Sequence, residues 1–599
     1  MKANFSSLLP ALALAVLAGC AASEAVNDIA QTRPEGATGF TEKPGWAAAK
    51  FAVATANPLA TQAGYQILKA GGSAVDAAIA VQMVLNLVEP QSSGLGGGAL
   101  LLHFDGQQVE AFDGRETAPM AATPALFLDA GGKPVSFGQA AIGGRAVGVP
   151  GTLRMLEMAH RQHGRLPWAQ LFAPAIALAQ NGFRLGARLH ALLKADPYLR
   201  GDPVALAYFY QPDGSPHEVG HLLRNPALAD VFQKIASQGT KAFYEGELAK
   251  AMVDKVQQHG NNPGLLSLSD LAAYQPKKRS AICHHYAANA GDYQVCGFPP
   301  PSSGAITVGQ ILGMLANTPA AKLPLEKGLP SAAWLHLYTE ASRLAFADRS
   351  LYLGDPDFVD PPAGSWMSLL EPGYLAQRAA LIAQGPGAQS MKVALPGQPA
   401  GVKSSYAPMA EQNEYGTSHI SIVDAMGNAL AMTTTVESAF GARQMVRGLL
   451  LNNELTDFSF APADASGALI ANRVQPGKRP LSAMSPTLVF DKKNGQLVMT
   501  TGGAGGPFII RQASLMVFAP LNWGLTVQAA ANLPNFSAFN GPALLEKNRF
   551  PLETIQSLRS MGHTVVEMDL PSGIQAIQRQ GTGWLGGADP RREGNVMGD

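Results

Sequence analysis

Apolar and polar positions repeat along this chain with two periods, and the places where the period changes mark its elements. Asn57-Pro58 supplies a helix N-cap and a proline at the first helical position, and Gly71-Gly72 closes that helix after Ala70. Ser73 then opens SAVDAAIAVQMVLNLVEP, a run apolar on most faces that stops before Pro90. Its Asp76, Gln82 and Asn86 argue against a membrane span and for a buried core helix. The following GLGGGALLLHFDGQQVEAFDGRE reads as two strands parted by Asp105-Gly106. No P-loop lysine follows glycines 94 and 96–98, which points to close backbone packing rather than a phosphate cradle. From Thr152 to about Ser350 the pattern is mainly helical, with TLRMLEMAHRQHG closing on Gly164. Residues 385–408 lack periodicity and read as a long exposed connection. No internal repeat is visible.

Beyond Gly416 the period becomes two. Thr417, His419, Ser421 and Val423 share one face of a strand, and a turn centred on Met426 leads into ALAMTTTVES. In such a hairpin, facing residues have numbers that sum to 852, which opposes Thr417 to Thr435. Directly opposed side chains lie roughly 4.5–5.5 Å apart at Cβ, within reach of a hydroxyl–hydroxyl contact. Threonine is also an ordinary strand former, and cross-strand threonine pairs stabilise sheets without any chemistry. Further on, the strand QLVMT feeds TGGAGGPFIIRQA, where bare glycine amides precede a helix that begins at Pro507. The loop suits an oxyanion, and equally a tight turn that needs glycine for positive φ.

Composition narrows the picture. The 599 residues carry 44 basic and 44 acidic side chains and are 47% hydrophobic, which suits a globular protein with a deep core and disfavours nucleic acid as a partner. Residues 1–19 read as a secretory signal: Lys2, an apolar run from Leu8 to Ala18 too short to span a bilayer, then Leu17-Ala18-Gly19-Cys20. That ending resembles a bacterial lipobox, which makes Cys20 the lipid-carrying first residue; the alternative is a plain secretory signal. A polar lead follows over residues 20–46. Only Cys283 and Cys296 remain, as a disulfide between paired strands or as two buried free thiols. His284 and His285 lack partners at metal-ligand spacing and read as surface or strand residues.

Ten stretches, in order, resemble the gamma-glutamyltransferase (gamma-glutamyl transpeptidase) family of N-terminal nucleophile hydrolases. They are EPQSSGLGGGALLL, FDGRETAP, VGVPGT, FPPPSSG, EASRLAFADRSLYLGDPDF, GTSHISIVD, GLLLNNELTDFS, KRPLSAMSPT, TGGAGG and GADPRREG. The resemblance implies an α+β fold, a four-layer αββα sandwich built from two autoprocessed subunits, residues 47–416 and 417–599. It implies self-cleavage between Gly416 and Thr417, so that Thr417 becomes both nucleophile and, through its α-amine, base. Thr435 would position the Thr417 hydroxyl, and the amides of Gly505 and Gly506 would hold the oxyanion. Arg115 and Ser482 match residues that bind the substrate α-carboxylate; Glu454 and Asp457 match the acidic side that receives its α-ammonium.

Two positions depart from the family pattern. Ala483 stands where a second serine is usual, and Glu437 where an asparagine is. Period-two alternation places Glu437 on the face of Thr435, so the pocket is expected to lose a carboxylate donor and gain an acid. The segment between Asp457 and Ser482, which includes a lid in relatives, is short. The implied activity is transfer of the gamma-glutamyl group of glutathione and related amides to water or amino acids, in an exported, periplasmic, lipid-anchored enzyme. Two alternatives stand beside it: a glutaryl or cephalosporin-type acylase of the same fold, and an inactive lipoprotein that binds gamma-glutamyl peptides. No metal or organic cofactor is indicated, because the chain itself supplies nucleophile, base and oxyanion donors.

Overall fold

The computed structural model describes residue 37 and residues 39–402, 405–410 and 416–599. The signal and Cys20 lie outside the described residues. Two seven-stranded antiparallel sheets form the centre, and helices cover the outer face of each.

Fourteen strands make up these sheets: β1 (Trp46–Ala48), β2 (Ala52–Thr55), β3 (Gly98–Phe104), β4 (Val109–Gly114), β5 (Lys277–Ser280), β6 (Ile282–Ala288), β7 (Gly291–Gly297), β8 (Thr417–Val423), β9 (Ala429–Thr435), β10 (Thr487–Asp491), β11 (Leu497–Gly502), β12 (Gln575–Gln580), β13 (Gly583–Ala588) and β14 (Asn595–Gly598). One sheet runs β14-β2-β8-β9-β3-β4-β5 and the other β1-β13-β12-β11-β10-β7-β6. Their facing sides meet in an apolar layer that includes Leu100, Leu102, Ala431, Leu488, Phe490 and Ile577. Outside the first sheet pack α1 (Pro58–Lys69), α2 (Ala74–Val88) and α3 (Thr152–His163); outside the second pack α4 (Gly304–Ala316), α5 (Ala332–Tyr352) and α6 (Phe508–Trp523). The expected four-layer αββα sandwich is therefore present. Residues before and after Thr417 sit side by side in both sheets, so a cut at this point leaves two pieces that share their hydrogen bonds.

Local signals explain the elements nearest the β8–β9 hairpin. Asn57 accepts from the Leu59 amide at 3.0 Å, and Ser73 with Asp76 forms a reciprocal capping box at the start of α2. All fifteen residues of α2 are buried, as its all-round apolar pattern requires. The Asp424 carboxylate, in the β8–β9 turn, accepts from the Ala74 amide at 3.0 Å. The hairpin is thereby pinned to the positive end of a core helix.

One expectation gains detail, one needs revision, and one open pair of alternatives is resolved. The stretch 152–350 is not helical throughout, because β5, β6 and β7 occupy 277–297, where Val, Tyr and Cys alternate with polar residues. Residues 385–402 and 405–408 carry no helix or strand but are not loose. Met391 N donates to Glu340 Oε2 at 2.7 Å, Gly397 N to Asp348 Oδ1 at 2.7 Å, and Arg343 to Met391 O at 2.6 Å, so buried charges on α5 hold this connection down. Cys283 and Cys296 form a disulfide between directly opposed positions of β6 and β7, with His284 and His285 in the same strand.

Candidate active site

Strands β8 and β9 pair in the register that the sequence count gives, with Thr417 opposite Thr435. The hydroxyl contacts differ from the expected threonine–threonine pair. Thr435 Oγ1 donates to the Gly416 carbonyl at 2.8 Å and accepts from the Glu437 amide at 2.7 Å, which fixes the direction of its own proton. Thr417 Oγ1 accepts from the Gly505 amide at 2.8 Å. In this continuous chain the Gly416 carbonyl thus already has a hydroxyl donor, and the Thr417 hydroxyl is held by the loop expected to serve an oxyanion. Thr417 is 4% exposed.

Glycine at 416 has a steric cause. Its φ is +73°, and a Cβ there would collide with the backbone carbonyl of Glu437. Gly505 and Gly506 likewise take φ of +112° and +60°, so the TGGAGG turn can aim amides at the hairpin just before α6 begins. Arg115, Thr417, Thr435, Glu437, Glu454, Asp457, Ser482 and Gly506 line one small cavity, together with Met484 and Ile509. Every expected site residue except Gly416, Gly505 and Cys20 lines it; the first two adjoin it through Thr435 and Thr417.

The charge arrangement is unusual. Arg115 follows β4 and lies fully buried, with Nε donating to Pro480 O at 3.1 Å and Nη2 to Leu481 O at 2.8 Å. Its guanidinium pairs with both Glu454 and Asp457. Burial works against its charge, but Glu454, Asp457 and Glu116 outweigh burial and keep it protonated. Burial raises the carboxyls in turn: Glu116 to about 8, and Glu437 and Glu454 well above the usual range, with Arg115 pulling Glu454 and Glu116 back. Asp457 adds to the rise at Glu437, while the Asn453 side chain donates to Glu437 and opposes it. Three carboxyls thus crowd one buried guanidinium, with Glu437 lining the same pocket, a setting that favours a further cation.

The two departures behave differently. Glu437 lines the cavity, though not through alternation: β9 ends at Thr435, and Glu437 turns inward with φ of +75°. Ala483 does not line it and belongs to the apolar core under α4, α5 and α6. The expected loss of a carboxylate donor at 483 is therefore absent from the cavity wall. Ser482 does reach it, seated by its amide, which donates to Pro301 O at 2.9 Å. The short segment between Asp457 and Ser482 is braced by Asn472, which donates to Asp457 O at 2.6 Å and accepts from Leu481 N at 3.0 Å.

Sequence reasoning passed over Glu116, Asn453 and His419. The first two adjoin residues that were singled out, and that adjacency was the available signal. His419 faces the second sheet two residues after Thr417. Ser421 Oγ donates to Gln575 O at 3.1 Å, so His419 Nε2 donates to Ser421 Oγ at 3.1 Å and Nδ1 accepts from Thr433 Oγ1 at 2.9 Å. Burial pushes this imidazole down to about 3, so the chain runs through a neutral ring. The ring packs against Gly502, where a Cβ would overlap it, and so joins the strand of Thr417 to the loop of Gly505.

The family model described as Gamma-glutamyltranspeptidase matches residues 60–599. The glutathione hydrolase proenzyme of Escherichia coli (strain K12) is 37% identical over 550 residues, 90% of each chain. That of Bacillus subtilis (strain 168) is 35% identical over 559 residues, 91% of each chain. Among solved structures, cephalosporin acylase from Bacillus halodurans has a TM-score of 0.79 at 27% identity, covering 94% of this chain and 98% of that one. Helicobacter pylori gamma-glutamyltranspeptidase has a TM-score of 0.52 at 32% identity, covering 58% and 96%.

Proposed function

This chain belongs to the gamma-glutamyltranspeptidase family, an enzyme family of N-terminal nucleophile hydrolases, and from that premise we propose how its own residues run the reaction. The precursor cuts itself before Thr417. The Thr417 hydroxyl attacks the Gly416 carbonyl while the Thr435 hydroxyl stabilises the developing oxyanion; the hydroxyl proton passes to the amide nitrogen, the C–N bond breaks, an ester links Gly416 to Thr417 Oγ, and the α-amine is freed. Water then hydrolyses the ester, leaving a large subunit that ends at Gly416 and a small one that begins at Thr417. The observation that carries this reading is the donation from Thr435 to the scissile carbonyl at 2.8 Å.

Removal of Gly416 leaves the Thr435 hydroxyl to orient that of Thr417, and the new α-amine takes its proton, since a free α-amine ordinarily titrates at about 7.7–8.0. Thr417 attacks the gamma-glutamyl carbonyl, the amides of Gly505 and Gly506 receive the oxyanion, and the amine leaves. Water or an amino acid then takes the acyl group from Thr417. Arg115 and Ser482 hold the substrate α-carboxylate; Glu437, Glu454 and Asp457 hold its α-ammonium. Because Arg115 already pairs with Glu454 and Asp457, the incoming carboxylate competes with them, and the ammonium compensates the acids it displaces.

Glutathione and related gamma-glutamyl amides are therefore the substrates. The likeness to cephalosporin acylase raises glutaryl amides as a second reading. A glutaryl group brings no ammonium to the acidic wall, so Glu437 favours the gamma-glutamyl class. The leader sequence supports export, with Cys20 carrying the lipid. Among the described residues no helix is long and apolar enough to cross a membrane. Incubation of the purified protein with gamma-glutamyl and glutaryl anilides tests the substrate assignment: preferred release from the gamma-glutamyl compound supports it, and equal or greater release from the glutaryl compound overturns it.

A further inference from the structure

A second cluster of chemically capable side chains lies on the far part of the same sheet. His103 in β3 and Glu110 in β4 are direct ladder partners, and His163 is the last residue of α3. Gly98 pairs with Thr435, so His103 lies five residues further along β3, about 17 Å away at roughly 3.3 Å per residue. The catalytic machinery therefore makes no use of it.

Three side chains from three elements converge there. One ligand-capable atom from each of His103, Glu110 and His163 lies within 4.8 Å of the other two. His163 Nε2 stands 2.5 Å from Glu110 Oε2, and the His103 and His163 ring centroids are 4.2 Å apart. His103 is 1% exposed, and neither of its ring nitrogens has a hydrogen-bond partner. A buried imidazole with both nitrogens unpaired forfeits the hydration it had in the unfolded chain, a cost that a ligand on one nitrogen removes. The rest of the cluster resembles the outer support of a metal ligand. Lys278 and Gln108 engage the other carboxylate oxygen, Glu110 Oε1, and Lys278 in turn donates to Gln162 at 2.8 Å. Glu110 Oε2 is thus aimed at the histidines, while the partly exposed His163 leaves a way in from solvent.

We propose that His103, Glu110 and His163 form a binding site for a divalent transition-metal ion of the zinc class, with water as the fourth ligand. Two imidazole nitrogens and one carboxylate oxygen are the donor set that such ions favour, and ligand lengths of about 2.0–2.2 Å fit the observed spread after small side-chain rotations. Lys278 keeps its contact with Glu110 Oε1 and limits the carboxylate to one bond to the ion. The site is structural in character: it ties the C-terminus of α3 to the β3–β4 hairpin that leads into Arg115.

The test uses untagged, chelator-treated enzyme titrated with zinc by calorimetry and with cobalt by its visible absorption, beside His103→Ala, Glu110→Gln and His163→Gln. The expected result is one ion per chain in the wild type, an affinity at least about 100-fold weaker in each variant, and a zinc-dependent rise in melting temperature that the variants lack. His163→Gln, at the open edge, serves if the buried variants fail to fold. Absence of stoichiometric binding to the wild type, or unchanged affinity in His163→Gln, overturns the proposal.

Discussion

The Thr435 hydroxyl donates to the carbonyl of Gly416 at 2.8 Å, across the ladder position that opposes Thr417 to Thr435. One side chain of β9 is therefore bound to the peptide group proposed to be cut. Replacement by valine keeps the shape and removes the donor. Loss of one oxyanion donor costs about 2.7–4 kcal/mol, so Thr435→Val should slow self-cleavage about 100- to 1,000-fold, while Thr435→Ser should retain most of it. A time course on denaturing gels measures both.

Glu437 should set substrate preference more than Ala483 does, because only Glu437 lines the cavity. Glu437→Asn is expected to lower the ratio of kcat/KM for gamma-glutamyl over glutaryl anilides by roughly tenfold, the effect of about 1.4 kcal/mol at one charged contact. Ala483→Ser should leave the ratio unchanged. Steady-state kinetics on the two anilides separates the residues.

His419 should act by position rather than by proton transfer, because burial keeps it neutral at every working pH. His419→Ala is expected to lower kcat and slow self-cleavage with little change in KM, since the ring supports the Gly502–Gly505 loop and does not line the cavity. His419→Gln, which can both donate and accept, should restore part of the loss. Parallel kcat and KM measurements distinguish this from general destabilisation.

The contribution of the acidic cluster to stability should fall as pH rises. Glu116 holds its proton in the folded state up to about 8, whereas its ordinary value is 4.5. Between these values the native chain binds more protons than the unfolded one, so the stability of the fold declines as pH increases. Glu454 and Glu437 add the same sign. Melting of the uncut Thr417→Ala chain beside its Glu116→Gln derivative from pH 5 to 9 isolates this contribution: the stability of the parent relative to the glutamine variant should fall as pH rises.

Much of the fold and site was legible because local chemistry and tertiary demand agree. The caps at Asn57 and Ser73, the Asp424 turn and the 852 register follow from residue type and period. The strands at 277–297 were less legible inside a helical stretch, because, apart from the local β6–β7 hairpin, they join distant β4 and β10. The sequence around Met391 and Gly397 gave no sign that buried Glu340, Arg343 and Asp348 fasten it, since those anchors belong to another element. At the site, motif order indicated the residues but not their contacts. Pattern could not show that Thr435 donates to the Gly416 carbonyl, that Glu437 enters through a positive φ after its strand has ended, or that Ala483 turns into the core.

The most direct measurement is intact mass spectrometry of purified wild type and Thr417→Ala, joined to a gamma-glutamyl anilide assay on the same samples. The account predicts that the wild type separates into two pieces, the smaller beginning at Thr417, and turns over substrate, whereas Thr417→Ala stays whole and inactive. An uncut wild type that still hydrolyses the anilide, or an active Thr417→Ala, would contradict it.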